Sequence, residues 1–351
     1  MSVSARPHCC LSVCIPAYNR ARFLEPLLVS ILAQELDDTA VIEILIVEDA
    51  SPERAQIRQI TERLATSSRW PLRYVENEHN LGFDGNIRRL VELATGTYCF
   101  FMGNDDLLAP DALRTTLDHL QRHPQVGLLL RGYAWFRRSP QQPEGTVRYV
   151  SEPLLLAPGE DAIAMCFRRS GVISGYIIAR DPAHAAATTQ FDGTLYYQMH
   201  LTAAVLASRP ALVVPEVLVL CRDEIPPDFG AASSEYGRFV PGRYTPQARV
   251  HMLRGAMQIL LAHTAADTAA ARRLRTLVAR DYARHFYPFV MDQLALPFRD
   301  YLAMCRQMAN TPVGRHPSFY VNCAIAYALG RRRCDAWLRA IRDLLGRTPR
   351  F

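Results

Sequence analysis

The first third of the chain alternates short apolar segments with longer segments that carry apolar residues at helical spacing. The apolar segments are residues 11–15, 41–47, 72–75 and 97–102. Apolar runs of this length are typical of strands that are buried on both faces of a parallel sheet. The segment after each of them has apolar residues three or four positions apart, as on one face of a helix. Four such repeats predict an α/β fold with a parallel sheet flanked by helices.

Residues at the ends of these segments help to place the helix and strand boundaries. Ser51, Pro52 and Glu53 supply an N-cap, a proline in the first helical turn and an acidic group there, which together indicate a helix start. Asp84 is expected to cap the helix whose apolar face lies within residues 87–94. Pro16 is expected to end the first strand, which would make residues 16–20 a loop.

The alternation becomes irregular after residue 125. Strands are expected at 125–130, 133–136, 172–179 and 212–220, the last with a bend or at an edge because it contains Pro215. Helices are expected at 160–169 and 194–206. Residues 225–246 are rich in Pro, Gly and Ser, and we expect a mobile loop near the functional site. From about residue 247 the patterns are helical, so we divide the chain into a domain over 1–245 and a helical region over 246–351.

Composition and charge limit the classes of protein to which this chain can belong. The 351 residues are 49% hydrophobic and 21% charged, which is ordinary for a globular protein. A net charge of +6 permits an anionic substrate or a membrane surface, but it is too small to indicate nucleic-acid binding. The nine cysteines form no CxxC pair, so we predict neither a zinc site nor a disulfide framework, and we expect a cytoplasmic protein without a secretion signal or membrane span.

The last helical pattern combines an apolar stripe with many arginines. One interpretation is a helix that docks on the protein and turns a basic face to solvent. The other is a helix that lies on an anionic membrane, here the inner membrane, or that forms a homo-oligomer contact. The stripe consists of Trp337, Leu338, Ile341, Leu344 and Leu345.

Four polar clusters follow the predicted strands of the first third: residues 16–20, 49–51, 80–86 and 104–106. Because parallel strands end at the same edge of a sheet, we expect these clusters to meet where such sheets bind ligands. Asn104, Asp105 and Asp106 place two carboxylates side by side, an oxygen-rich arrangement that suits Mg²⁺ or Mn²⁺. The alternative is a solvated loop that caps the next helix. The glycine signature of dinucleotide folds is absent after the first strand, so a pyrophosphate would be held by a metal rather than by a glycine-rich turn.

At these positions the sequence resembles glycosyltransferase family 2. The similar segments are PAYNR at 16–20, VEDAS at 47–51, NLGFDGNIRRLVELATG at 80–96 and GNDDLLAP at 103–110. The sequences of the last two segments are most similar to those of the branch that contains abequosyltransferase-like O-antigen and capsule enzymes. The resemblance is close over residues 11–115 and loose over 116–220. It implies the GT-A fold, a Rossmann-like and mostly parallel central sheet flanked by helices, and a nucleotide-diphosphate sugar as donor.

The resemblance also implies roles for individual residues. Asp106 would bind the metal, with Asn104 in the position where the family usually has its first aspartate, which removes one negative charge. Asp105 would contact the ribose or the sugar, and Asn86 is either a site residue or a helix-surface amide. The other residues expected to bind the donor are Pro16, Ala17, Tyr18, Asp49, Asn80 and Gly82.

The resemblance suggests an inverting mechanism, which needs a group that accepts the proton of the acceptor hydroxyl. Family members often carry an acidic pair at the start of the helix predicted here at 194–206, and this chain has none. Asp192 and His200 are the candidates, although a lone histidine on a helix is more often structural. Asp223 and Glu224 are second-choice candidates for this proton acceptor.

These observations favour a metal-assisted glycosyltransferase that moves a sugar from a nucleotide-diphosphate sugar to a hydroxyl of a bacterial surface glycan, including a lipid-linked one. Two alternatives stay open. A GT-A protein that binds sugar nucleotide or protein partners without turnover would fit Asn104 and the missing acidic pair. A nucleotidyltransferase would also need Mg²⁺, but it usually has a basic, glycine-rich first loop, which this chain lacks.

Overall fold

Strands and helices alternate through most of the computed structural model, which describes residues 10–37, 41–223 and 226–345. The strands are β1 (Cys10–Ala17), β2 (Val41–Glu48), β3 (Leu72–Glu76), β4 (Tyr98–Phe101), β5 (Leu107–Leu108), β6 (Leu128–Phe136), β7 (Gly145–Val147), β8 (Leu154–Leu156), β9 (Tyr176–Ala179) and β10 (Ala211–Arg222). The helices are α1 (Ala21–Leu32), α2 (Arg54–Ala65), α3 (Gly82–Leu93), α4 (Ala112–Arg122), α5 (Glu160–Cys166), α6 (Arg180–Ala185), α7 (Tyr197–Leu206), α8 (Pro246–His263), α9 (Ala269–Arg284), α10 (Tyr287–Val290), α11 (Phe298–Ala309) and α12 (Pro317–Leu345).

One sheet joins all of these strands, in the order β3-β2-β1-β4-β9-β6-β10-β5, with β7 on β6 and β8 on β10. Neighbours among β1 to β4 are parallel, as are β6 and β10, whereas β9 runs antiparallel to both β4 and β6. The predicted α/β class with a mostly parallel sheet and C-terminal helices is therefore confirmed.

The first strand extends further than predicted, because Pro16 lies inside β1 rather than ending it. Pro16 pairs with Val47 of β2. The carbonyl of Ala17 faces β2 and that of Cys14 faces β4, so the nitrogen of Pro16 is also on the β4 side. Pairing with β4 ends at Cys14. The ladder with β4 thus ends just before the position where proline has no N–H to donate.

The second half of the sheet also differs from the predicted pattern. Two expected strands at 125–130 and 133–136 are the single strand β6, whereas the strand expected at 172–179 is shortened to four residues by Gly175, which has φ +74°. Residues 211–222 form one long strand in which the pairing with β6 shifts register around Pro215. The pairing is thus irregular at this proline, and β10 is not an edge strand, since β5 and β8 also pair with it.

Asp84 does not cap α3, which begins two residues earlier, at Gly82. Its buried carboxylate instead accepts hydrogen bonds from the N–H groups of Leu195 and Tyr197, each at 2.9 Å. Asp84 therefore satisfies free N–H groups at the start of α7, a different helix that is more than a hundred residues away in the chain.

The C-terminal helices share a hydrophobic cluster with one face of the sheet. This cluster includes residues of β4 and β6 together with residues of α8, α9, α11 and α12, such as Leu253, Tyr282 and Phe319. The division after residue 245 stays a prediction, since packing is continuous across it. None of the helices in the described ranges has the length and hydropathy needed to cross a bilayer.

Candidate functional site

A cavity of about 370 Å³ lies at the edge of the sheet where β1, β2 and β4 end. All seven residues predicted to bind the donor line it, and so does Asn104, although they come from four separate parts of the chain. The predicted residues on the cavity wall are Pro16, Ala17, Tyr18, Asp49, Asn80, Gly82, Asn86, Asn104 and Asp105. Asp106, Asp192 and His200 are not on it. Each of the four polar clusters thus contributes residues to the cavity at this sheet edge, the fourth through Asn104 and Asp105.

Asp49 follows β2 and organises the turn that precedes α3. One carboxylate oxygen accepts from Asn77 Nδ2 at 2.7 Å and from Leu81 N at 2.9 Å, and the other accepts from Gly82 N at 3.0 Å. Burial raises the pKa of Asp49 to about 6, although these three hydrogen bonds favour the charged form. The carboxylate therefore holds residues 77–82 in position as well as facing the cavity.

Gly82 is the point where this turn meets the segment at 226–245. Its φ is +78°, and a Cβ at this position would lie 2.9 Å from Glu235 Oε1. Glu235 is buried and accepts from Phe83 N at 2.7 Å and Gly230 N at 2.8 Å. Only glycine fits both the backbone conformation and the space, so Gly82 allows the two walls of the cavity to approach each other.

Arg20 connects the loop after β1 with the loop after β4. Its guanidinium forms an ion pair with Asp105 and donates to Pro226 O at 2.6 Å. It also lies 3.9 Å from Asp228, which accepts from Asn19 Nδ2 at 3.4 Å. Arg20 thereby brings a positive charge to the cavity wall between two carboxylates.

Asp105 and Asp106 have different surroundings although they are adjacent. Asp105 reaches the cavity, whereas both oxygens of Asp106 have partners inside the protein. The Asp106 carboxylate accepts from Ser174 Oγ and from Arg222 N, the latter at 2.7 Å. Burial, with a contribution from the charge of Asp105, raises the pKa of Asp106. The structure therefore does not bring Asp106 into the position expected for a metal ligand, because its hydrogen bonds join the loop after β4 to Ser174 and to the end of β10.

The residues on the cavity wall fit a cation that takes most of its ligands from a substrate. In the described part of the chain, no three His, Cys, Asp or Glu side chains are grouped closely enough to hold a metal alone. Asp105 and Asn104 nevertheless offer a carboxylate and an amide at the cavity, where Asn104 Nδ2 donates to Asn19 O at 2.9 Å. Mg²⁺ commonly binds through one or two carboxylates together with phosphate oxygens and water.

Neither candidate for the proton acceptor reaches the cavity. Asp192 forms a two-point ion pair with Arg88, at 2.5 and 3.0 Å. His200 is on α7 and its side chain faces the end of α8. Its Nδ1 is 2.9 Å from His263 Nε2, and its Nε2 is 2.8 Å from Ala186 O. Both side chains therefore hold neighbouring elements together, which corrects the position that we expected for them.

The second-choice candidates for the proton acceptor are not on the cavity wall either. Asp223 is half-exposed and pairs with Arg137 at 2.8 Å. Glu224 lies outside the described residues. Arg222 packs its guanidinium over the rings of Phe23 and Phe136 and donates from Nε to Asp105 O at 3.1 Å. It supports the loop after β4.

Three charged residues of the cavity were missed in the sequence: Asp228, Glu235 and Arg249. The first two belong to the segment at 226–245, which was expected near the site, but no local pattern singled them out. Arg249 comes from α8, in the region that we placed outside the catalytic domain. Its guanidinium lies 3.8 Å from the centre of the Tyr244 ring and forms an ion pair with Asp292. Its Nε is buried and has no hydrogen-bond partner among the described residues.

Residues 12–170 match the model of the family described as glycosyl transferase family 2. Abequosyltransferase RfbV of Salmonella typhimurium is 37% identical over 118 residues, and an uncharacterized glycosyltransferase of Haemophilus influenzae is 26% identical over 119 residues. The two matches cover 34% of this chain each, and 34% and 37% of the relatives. The chain thus matches about a third of the length of these relatives.

Solved structures match over more of the chain. Staphylococcus aureus TarS 1–349 in complex with UDP-GlcNAc has a TM-score of 0.61 and 15% identity, over 86% of this chain and 80% of that one. The mannosyltransferase PcManGT from Pyrobaculum calidifontis, in complex with GDP-Man and Mn²⁺, has a TM-score of 0.51 and 18% identity, over 92% of this chain and 87% of that one. Likeness at this identity concerns the fold alone. Residues 12–170 thus match the family 2 glycosyltransferase model, and the chain has the GT-A fold of these solved structures.

Proposed function

We propose that this protein transfers a sugar from a nucleotide-diphosphate sugar to a hydroxyl group of a bacterial surface glycan, with inversion at the sugar carbon. The acceptor class includes lipid-linked glycans, as suggested by the partial similarity to an abequosyltransferase. The reaction breaks the bond between the sugar and the diphosphate, forms a bond to the acceptor oxygen and releases the acceptor proton.

The observation that carries this proposal is the combination of charges around one cavity. Asp49 and Tyr18 lie on one side, where a base and a ribose offer N–H and O–H donors to a carboxylate. Arg20 and Arg249 bring positive charge to the same cavity, and a diphosphate is the part of the donor that needs it. The buried Nε of Arg249 is available as a donor to such an anion.

The nucleotide itself is not fixed by the fold. The neighbouring structures hold UDP-GlcNAc in one case and GDP-Man in the other. In this chain the base would lie against Ala17 and Tyr18, with Asp49 as the acceptor that selects the edge of the base or the ribose. Burial raises the pKa of Tyr18, and the neighbouring side chain of Asn80 opposes this effect.

A divalent cation, Mg²⁺ or Mn²⁺, belongs to the proposal. Asp105 would hold it with Asn104 beside it, and the cation would neutralise charge on the departing diphosphate. Arg20 already pairs with Asp105 and lies on the same wall, so it supplies part of this neutralisation from the chain itself.

For the proton acceptor we propose Asp228. It is on the cavity wall, it is partly exposed, and the positive charge of Arg20 lies 3.9 Å away. Asp192 and His200 were our expectation, but their contacts with Arg88 and His263 direct them away from the cavity. A general base has to be within hydrogen-bond reach of the proton that it removes.

The proposal is tested by incubating the full chain with a panel of UDP-, GDP- and CDP-sugars, with Mn²⁺ or with chelator, and measuring release of the nucleoside diphosphate. We expect metal-stimulated release from at least one donor, faster with a suitable glycan acceptor. Binding of a nucleotide sugar, seen as a rise in melting temperature, without any release over a broad panel would instead support a protein that binds without turnover. Release of pyrophosphate from a nucleoside triphosphate and a sugar phosphate would support a nucleotidyltransferase.

A further inference from the structure

The first part of α12 has an exposed face made only of apolar residues. We call it the C-terminal surface, and it consists of Tyr320, Val321, Ala324, Ile325, Ala328 and Leu329. About half of the side-chain surface of Tyr320, Val321 and Ile325 is open to solvent. A helix on the outside of a globular protein normally turns polar residues to water on this side. An exposed apolar face of this kind marks a surface that another molecule covers.

The opposite face of the same helix already holds it on the protein. Phe319, Cys323 and Ala326 are buried in the hydrophobic cluster that includes α9 and α11. Asn322 Nδ2 donates to Ala283 O at 2.8 Å, and Tyr327 donates to Leu296 O at 3.1 Å. The C-terminal surface is therefore not the docking face of the helix left open. It is a second apolar face on a helix that is already docked.

The residues that follow have a formal net charge almost as large as that of the whole chain. Residues 331–351 contain seven arginines and two aspartates, a formal net charge of +5 out of +6 for the whole sequence. Gly330 interrupts the helix with φ 71° and ψ 167°. After it, Arg331 pairs with Asp292 at 3.2 Å and Tyr287 donates to Asp335 at 2.6 Å, so the second part of α12 is also fixed to the body. Arg332, Arg333 and Trp337 in this part are exposed.

We propose that α12 binds the surface of a bilayer that contains anionic phospholipids. The C-terminal surface and Trp337 would enter the boundary between headgroups and acyl chains, and Arg332 and Arg333 would contact phosphate groups of the lipids. Charge complementarity selects this partner over a second copy of the chain. A two-fold contact through the C-terminal surface would bring two strongly basic segments together, whereas an anionic bilayer compensates their charge. The helix lies on the membrane and does not cross it.

This proposal does not depend on the sugar transfer proposed above, because it concerns residues outside the cavity. It would keep the protein at a bilayer, where lipid-linked acceptors are found. Both the apolar face and the basic residues are needed, since neither signal alone gives stable binding to a membrane.

The test is co-sedimentation of the full chain with vesicles of phosphatidylcholine, with and without 30% phosphatidylglycerol. We expect binding to the anionic vesicles and little binding to the neutral ones. The double substitution Val321→Glu/Ile325→Glu, on the exposed face, should lower the affinity at least tenfold. Val29→Glu is a matched control, because Val29 on α1 is 51% exposed and Val321 is 54% exposed. Its binding should equal that of the unmodified chain.

A second pair of variants tests the charge. Arg332→Glu/Arg333→Glu should lose binding, whereas Arg148→Glu/Arg209→Glu changes the net charge equally at exposed positions elsewhere and should keep most of it. Equal binding to neutral vesicles, or unchanged binding of both α12 variants, would overturn the proposal. It would also fall if the chain binds no vesicles and is instead a dimer by light scattering that Val321→Glu/Ile325→Glu converts to monomer.

Discussion

At the scale of single residues, the two neighbouring aspartates after β4 have separate tasks. Asp105 is on the cavity wall beside Arg20, and Asp106 is held by Ser174 and Arg222. Sequence position alone assigned the metal to Asp106, because a motif gives the order of residues but not the direction of each side chain. Ser174 lies about seventy residues after Asp106 in the chain, and Arg222 lies more than a hundred residues after it. No local sequence pattern indicates that they are its partners.

This difference predicts opposite effects of two substitutions. Asp105→Asn should remove the Mn²⁺-dependent part of the rise in melting temperature caused by a nucleoside diphosphate, with little change in stability of the free protein. Asp106→Ala should lower the free energy of unfolding by about 1–3 kcal/mol, because a partly buried N–H of Arg222 loses its acceptor. Thermal melting with and without ligand measures both. If the Asp106 variant is stable but its melting temperature no longer rises with Mn²⁺ and the nucleotide, Asp106 is the metal ligand after all.

The proposed proton acceptor, Asp228, can be tested by single substitutions. We expect Asp228→Asn to lower kcat by a factor on the order of 10² to 10⁴, the range typical of a general base, with a small change in KM for the donor. Asp192→Asn and His200→Gln should change kcat by only a few fold, because both side chains make structural contacts outside the cavity. Steady-state kinetics on the three variants tests this. The prediction fails if Asp228→Asn is fully active while either of the other two is inactive.

At the scale of elements, contacts between distant helices position the site. Asp84 on α3 satisfies two N–H groups at the start of α7, and Leu195 and Gln198 from this region line the cavity. In the sequence, Asp84 has the same local pattern as an N-cap, and only the fold reveals which helix it serves. By contrast, β1, β2 and β4 were predictable, since short and almost wholly apolar runs are typical of strands buried on both faces of a parallel sheet.

Asp84→Ala should lower the free energy of unfolding by about 2–4 kcal/mol, because two buried N–H groups lose their acceptor together. Asp84→Asn keeps one acceptor oxygen and should cost less. Asp181→Ala, at an exposed position on α6, is the control and should change stability little. Urea denaturation measures all three, and a loss below 0.5 kcal/mol in Asp84→Ala, a limit well under the cost of one unsatisfied buried N–H, would contradict this account.

The contact between α7 and α8 depends on two neutral histidines. Ala186 O accepts from His200 Nε2, so His200 Nδ1 accepts from His263 Nε2. Burial, with a smaller effect of His200, lowers the pKa of His263 to about 4, and burial also lowers that of His200. In the unfolded chain a histidine has a pKa of about 6.5.

These shifts predict a loss of stability in acid. Between pH 6.5 and about 4 the unfolded state binds protons that the folded state does not, so stability is complete above this window and falls as the pH decreases through it. His263→Gln should remove a part of this dependence, on the order of 1 kcal/mol between pH 7 and 5. Denaturant midpoints at several pH values test it, with the exposed His184→Gln as control. An unchanged pH slope in His263→Gln would be contrary to this explanation.

At the scale of the whole molecule, the cavity is built from both parts of the chain. The strand ends of the first third supply Asp49 and Asp105, whereas the segment at 226–245 and α8 supply Asp228 and Arg249. The sequence predicted the first set because each polar cluster directly follows an apolar strand. It did not predict the second, since Arg249 lies on a helix whose position depends on long-range packing, and nothing in the surrounding sequence marks this arginine as a site residue.

The central claim is that a nucleotide-diphosphate sugar binds where these segments meet. The most direct measurement is hydrogen–deuterium exchange of the full chain with and without a donor that gives a thermal shift, in the presence of Mn²⁺. We predict slower exchange in peptides covering residues 16–20, 77–86, 103–105 and 226–249, and little change in α9, α11 and α12. Donor binding that protects other regions and leaves these four unchanged would contradict the account.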